Sequence, residues 1–251
     1  MMTEIVYPKR LCLTLWVVGV VAALSMLAAP MEALKPAKLD LSWWQFRLLS
    51  LTNPLVILTI TVAGGCWAAK RVGLDAPLVS ALLTGAPAGP VLRRQAPGAV
   101  IVGIATAAVL LFYSWWTAPM FAALPKGPEI AMPLVMKLLY GGVVEELMMR
   151  WGAMSLFVWL TWKALRSDRP GPAAFVIGAV LAAVLFAIGH LPMLKVITAH
   201  PPAVLVVAVL VGNMVPGLLF GLLFWKRGLE AAMLAHALGH LLFTGGTGLA
   251  N

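Results

Sequence analysis

Apolar runs of about 20 residues, separated by short links that carry lysine and arginine, recur along the whole chain. A helix rises 1.5 Å per residue, so about 20 apolar residues cover a hydrocarbon core about 30 Å thick. Lipid offers no hydrogen-bonding partner to an open backbone, so such runs must close their bonds internally, as helices. The pattern predicts an all-α fold, a polytopic transmembrane helix bundle of seven or eight spans. Composition agrees: 62% of residues are hydrophobic and 11% charged, whereas a soluble domain is nearer half apolar and a quarter charged. The expected location is a multi-pass position in the cell (inner) membrane, with membrane lipid as a partner.

The expected spans are Leu11–Pro30, Leu48–Ala69, Pro97–Pro119, a long stretch Ile130–Leu165, Ala173–Leu191, Ala203–Trp225 and Leu229–Phe243. The first follows Lys9-Arg10 and superficially resembles a signal peptide, but its length and the later spans favour an uncleaved helix. The segment Pro77–Leu92 is apolar, short and interrupted by Gly85, Pro87, Gly89 and Pro90. It reads as a re-entrant or interfacial segment, or as a short eighth span. Residues 1–96 then form the N-terminal helices and links, and residues 97–251 the remaining core.

A net charge of +9 in a soluble domain would point to nucleic acid. Here the basic residues flank apolar runs, at Lys9-Arg10, Lys70-Arg71, Arg93-Arg94, Lys163 with Arg166 and Arg169, and Lys226-Arg227. That placement sets topology and meets lipid headgroups, so no nucleic-acid partner is expected. With seven spans, all of these clusters share the side of the N-terminus, leaving Lys35, Lys38, Arg47, Lys126 and Lys195 outside. With eight, the later links change sides. The positive-inside bias prefers seven. Cys12 and Cys66 both fall within apolar runs, where a free thiol behaves as a small hydrophobe. They offer neither a disulfide framework nor a cysteine metal site.

An ionisable side chain inside an apolar span is costly unless it is paired or hydrated, which makes each one a candidate for function. Three segments carry such residues. In the first, Glu145, Glu146 and Arg150 lie in one run. Glu146 and Arg150 stand at i and i+4 and can pair on one helix face, while Glu145 is rotated about 100° away and stays available. The second places Phe186 and His190 near the end of a span. The third places His236 and His240 at i and i+4, so both imidazoles share a face, as helical metal-ligand pairs do. His200, before Pro201-Pro202, reads as a loop residue.

Taken together these motifs resemble the CPBP family of intramembrane proteases, which includes the type II CAAX prenyl proteases and the Abi proteins. That family carries Glu-Glu-x-x-x-Arg, then Phe-x-x-x-His, then a His followed four residues later by Asn. Glu145, Glu146 and Arg150 match the first, Phe186 and His190 the second, and His236 opens the third. The likeness covers about Gly141 to Phe243. It departs at His240, where the family commonly has Asn; a neutral His keeps a hydrogen-bond donor there and adds a possible metal ligand.

The resemblance implies an endopeptidase that hydrolyses a peptide bond of a membrane-associated or prenylated protein or peptide. Glu145 and His190 would activate water, His236 and His240 would face the oxyanion, and Glu146, Arg150 and Phe186 would support them. A second version binds zinc through Glu145, His190, His236 and His240, as a metalloprotease. Two non-catalytic alternatives remain, a proton-coupled transporter and a b-type haem protein ligated by His190 and His236. Depth adds a conflict. Glu145 is about 27 Å from Lys163, His190 about 26 Å from Ala173 and His240 about 18 Å from Gly228. Seven spans put the site in the outer half; eight make it face the cytoplasm, as processing of prenylated proteins would suggest.

Overall fold

The computed structural model describes residues 9–30, 35–36, 38–124 and 132–249. All regular structure among them is helical. Helix α1 (Lys9–Ala23) tightens into a 3-10 turn over Leu24–Ala28. Helix α2 (Trp43–Val72) begins at a capping box, in which Ser42 and Gln45 bond to each other's backbone N–H, and ends at Gly73 with φ 75°. Helix α3 (Pro77–Thr84) is followed by α4 (Ala88–Ala122). A continuous helix α5 runs over 134–164, with wide π-type turns over Lys137–Glu145 and Leu147–Met154. Then come α6 (Pro172–Gly189), the short α7 (Leu191–Ile197), α8 (Ala203–Arg227) and α9 (Leu229–Leu249).

Among the described residues, five stretches are long and apolar enough to cross a membrane: Lys9–Ala28, Trp43–Val72, Ala88–Ala122, Pro172–Ile197 and Ala203–Arg227. Helices α5 and α9, which carry the buried ionisable residues, pack between them. The α5 helix lies against α1, α2, α6 and α9, and α9 lies against α4, α5 and α8. The apolar segment Pro77–Leu92 divides in two. Its first part is α3, whose 8 residues span about 12 Å, well short of a hydrocarbon core. Its second part is the opening of α4. The expected start of that helix at Pro97 is therefore corrected to Ala88: Pro97 and Pro119 both lie inside α4, as bundled membrane helices tolerate.

The cysteines also depart from expectation. Cys12 on α1 and Cys66 on α2 form a disulfide, with Cα atoms 6.1 Å apart, a separation normal for that bond. Two free thiols in apolar runs were the natural reading, because the pairing depends on how α1 and α2 are rotated against each other.

Small residues let the helices approach closely. A side chain on Gly65 of α2 would put its Cβ 2.5 Å from the carbonyl oxygen of Trp151 on α5. Reciprocally, a Cβ on Gly152 would lie 2.9 Å from the carbonyl oxygen of Thr61. Backbone atoms cannot swing aside as a flexible side chain can, so this contact requires glycine on both helices. Around it Leu58, Val62, Leu147, Trp151 and Met154 are all buried in one core. Gly65→Ala is expected to destabilise the fold by about 1–3 kcal/mol, as overpacking does, measured by thermal or denaturant unfolding in detergent. The neighbouring Gly64 has open space where its Cβ would go, so Gly64→Ala should leave stability unchanged.

Candidate active site

Glu146 sits inside the bundle with no exposed surface. A carboxylate there must find compensating groups within its immediate reach. It finds two. One turn along α5, Arg150 brings Nη1 to 3.1 Å from Glu146 Oε1. From α9, His236 brings Nδ1 to 2.8 Å from the same oxygen. The expected Glu146–Arg150 pair is present, and the second partner is new: the supporting carboxylate also holds one of the imidazoles. Arg150 is equally buried, donates from Nη2 to the carbonyl of Gly217 on α8 at 2.8 Å, and lies over the rings of Phe186 and Phe220.

These contacts fix protonation as well as position. A carboxylate accepts, so His236 donates from Nδ1, and the neutral ring then carries its lone pair on Nε2. That nitrogen lies 3.1 Å from His240 Nε2, so His240 is the donor between them. By the same reasoning His190, at the C-terminal end of α6, donates from Nδ1 to the carbonyl of Phe186 at 2.8 Å and keeps Nε2 free. The His236 ring is clamped: Phe220 stacks on it at 4.6 Å and 19°, and His240 at 4.9 Å and 25°. Phe186 presents its edge to both His190 and His236.

Glu145 points elsewhere, as its rotation on α5 predicts. Its side chain is 20% exposed, and Oε2 lies 3.9 Å from His236 Nε2. That is too far for a direct hydrogen bond, yet close enough for one water to contact both atoms at about 2.8 Å. Glu145, His190, His236 and His240 all line a single cavity of about 470 Å³. Phe186 lines it too, whereas Glu146 and Arg150 stand behind its wall. His200 is exposed in the link before α8 and has no part in it.

Several site residues escaped the sequence reading. Gly141 is one: a Cβ there would lie 3.1 Å from His240 Nε2 and 3.5 Å from His236 Nε2, so glycine makes room for the imidazole pair. Lys137 is another. It lines the cavity and donates to Thr244 on α9 at 3.3 Å. Both could have been found, because residues 137, 141 and 145 form an i, i+4, i+8 stripe on α5. Phe220 carried no such signal. Among the described residues, no group of three or more His, Cys, Asp or Glu side chains is arranged to hold a metal ion.

Removing the Glu146 charge strands both Arg150 and His236. Glu146→Gln is therefore expected to lower stability by about 3–5 kcal/mol, the range for breaking a buried ion pair from one side. Thermal unfolding in detergent checks this, and an unchanged midpoint contradicts the anchoring role.

Comparison with known proteins addresses the helices that build this cavity. The family described as Type II CAAX prenyl endopeptidase Rce1-like matches residues 127–242, a stretch that holds α5 to α8 and most of α9. No curated protein and no solved structure matches the chain. The matched stretch contains Glu145, Glu146, Arg150, Phe186, His190, His236 and His240, the residues on which the resemblance was drawn. Over residues 127–242, the chain is thus similar to the Rce1-like type II CAAX prenyl endopeptidase family, the family type that its motifs resemble.

Proposed function

We propose that this chain is an intramembrane endopeptidase of CAAX type that hydrolyses a peptide bond of a membrane-associated substrate with a water activated by Glu145. The observation that carries the proposal is the gap between Glu145 Oε2 and His236 Nε2, 3.9 Å wide, in the wall of a cavity that His190 and His240 also line. A water in that gap meets the Glu145 carboxylate oxygen as an acceptor, while the His236 lone pair beside it takes the N–H of His240. The family match supports a CAAX-type protease acting on a membrane-associated protein or peptide.

The steps use the chain's own residues. Water transfers a proton to Glu145 as its oxygen attacks the scissile carbonyl carbon. His190, with Nε2 free, accepts the second hydrogen of that water and aligns it. As the carbonyl oxygen becomes an oxyanion, His240 turns its Nε2–H from His236 to that oxygen. His236 stays bonded to Glu146 and keeps the second imidazole in place. Glu145 then delivers its proton to the amide nitrogen, the C–N bond breaks, and a carboxylic acid and an amine form; the acid passes its proton to the amine, and a carboxylate and an ammonium leave. Imidazole N–H at His240 does the work that an amide N–H does where the family has Asn.

Cleavage of prenylated and unprenylated peptides by the detergent-purified protein tests this directly. Glu145→Gln is expected to abolish turnover while leaving stability close to wild type, since its carboxylate anchors nothing. At position 240 the donor matters, not the ring. His240→Asn should stay within about tenfold of wild type, and His240→Ala should lose about 10²–10³-fold, the usual effect of one oxyanion donor. Full activity in Glu145→Gln removes the proposal. Stoichiometric zinc in the active protein would restore the metal-ligand reading of the same residues.

A further inference from the structure

The two ends of the bundle differ in charge, and contacts between helices show which residues share an end. The Cys12–Cys66 bond joins the start of α1 to the end of α2. Trp67 meets the edge of Trp159 at 4.8 Å, bringing in the end of α5. Phe175 stacks on Trp225 at 4.9 Å, joining the start of α6 to the end of α8. Gln95, early in α4, donates to the carbonyl of Arg227 and to Glu230, each at 3.0 Å. Glu230 in turn accepts from the backbone of Val79 on α3, and the Leu229 N–H reaches the Asp75 carbonyl. Lys9-Arg10, Lys70-Arg71, Arg93-Arg94, Lys163 with Arg166 and Arg169, and Lys226-Arg227 are thereby gathered at one end.

The opposite end carries scattered charge. Arg47 reaches the carbonyl of Leu27 at 3.2 Å and lies over Trp44, while Lys35 lies over Trp43. Lys195 projects from α7. The cavity belongs to this second end. Its floor, at His236 and Phe220, lies about 10 Å along α9 and α8 from the basic end. Its walls climb to Met26, Met136, Lys137 and Met193, and Lys137 is about 39 Å along α5 from Lys163.

Basic clusters next to helix ends are retained on the cytoplasmic side during insertion, and the anionic inner leaflet holds them there. We infer that the cavity opens away from the cytoplasm, and that its substrate is a peptide presented at that outer face: an exported peptide, or an outward-facing segment of a membrane protein. The sidedness stands on packing and charge alone; the substrate class rests also on the peptidase proposed above. The outward opening agrees with the length of α3. Being too short to cross, it does not reverse the direction of the helices that follow.

Cysteine accessibility in intact cells reads the sidedness without any assay of activity. In a full-length background with Cys12→Ser and Cys66→Ser, Ala199→Cys marks the cavity end and Asp168→Cys the basic end; both positions are exposed. A membrane-impermeant maleimide is expected to label Ala199→Cys in intact cells, and Asp168→Cys only after permeabilisation. Alkaline phosphatase fused after Asn251, beyond the cavity end of α9, is expected to be active. Labelling of Asp168→Cys from outside, equal labelling of both positions, or an inactive fusion overturns the inference. In sealed right-side-out vesicles, peptide added outside should be cleaved without detergent. Failure to cleave even in detergent would count against the peptidase and leave the sidedness as the labelling reads it.

Discussion

A carboxylate with no water around it dictates much of this molecule. Glu146 is fully enclosed, and a bare charge in that setting is costly by several kcal/mol at least. Arg150 balances its charge and His236 supplies a short hydrogen bond. Each partner then imposes its own demands. The guanidinium needs acceptors and flat surfaces, and takes them from the Gly217 carbonyl and the rings of Phe186 and Phe220. One buried charge thus ties together α5, α6, α8 and α9, the four long helices that surround the cavity floor. Such a network specifies one arrangement of the helices more than it adds stability, because a bundle shifted by one turn would leave a charge unmatched.

The same constraint divides the two adjacent glutamates into different tasks. Rotation about the α5 axis sends Glu146 inward and Glu145 to the cavity wall, with 20% of its side chain exposed. The structural carboxylate locks His236 with its Nε2 toward the cavity, where His240 donates to it and the wall carboxylate stands 3.9 Å away. Glycines make the arrangement sterically possible. Gly141 leaves space for the His240 and His236 rings, and Gly142 lets α5 approach Ala237. Packing and chemistry therefore depend on the same short segment, Leu139 to Arg150.

Much of this was legible in the residues. Apolar run length predicted the helices, because lipid admits no other continuous backbone solution. The i, i+4 spacing predicted the Glu146–Arg150 pair and the shared face of His236 and His240, because those contacts stay within one helix. What stayed hidden lies between helices. The Glu146–His236 bond spans 90 residues, the Cys12–Cys66 bond spans 54, and Phe220 reaches His236 from a third helix. Each depends on how one helix is rotated against another, which no single run encodes. The start of α4 was misplaced for a different reason: Pro97 looks like a boundary in sequence, yet neighbouring helices hold the turn around it in place.

Histidine tautomers report on the anchoring contact most directly. In the full-length protein with ¹⁵N-labelled histidine, the His236 signal is assigned by its loss in His236→Gln. At a pH where the ring is neutral, it should show a protonated Nδ1 and a bare Nε2, the reverse of the tautomer that free imidazole side chains favour. A His236 ring protonated at Nε2 would mean that Glu146 does not hold it, and the cavity chemistry built on that bond would have no foundation.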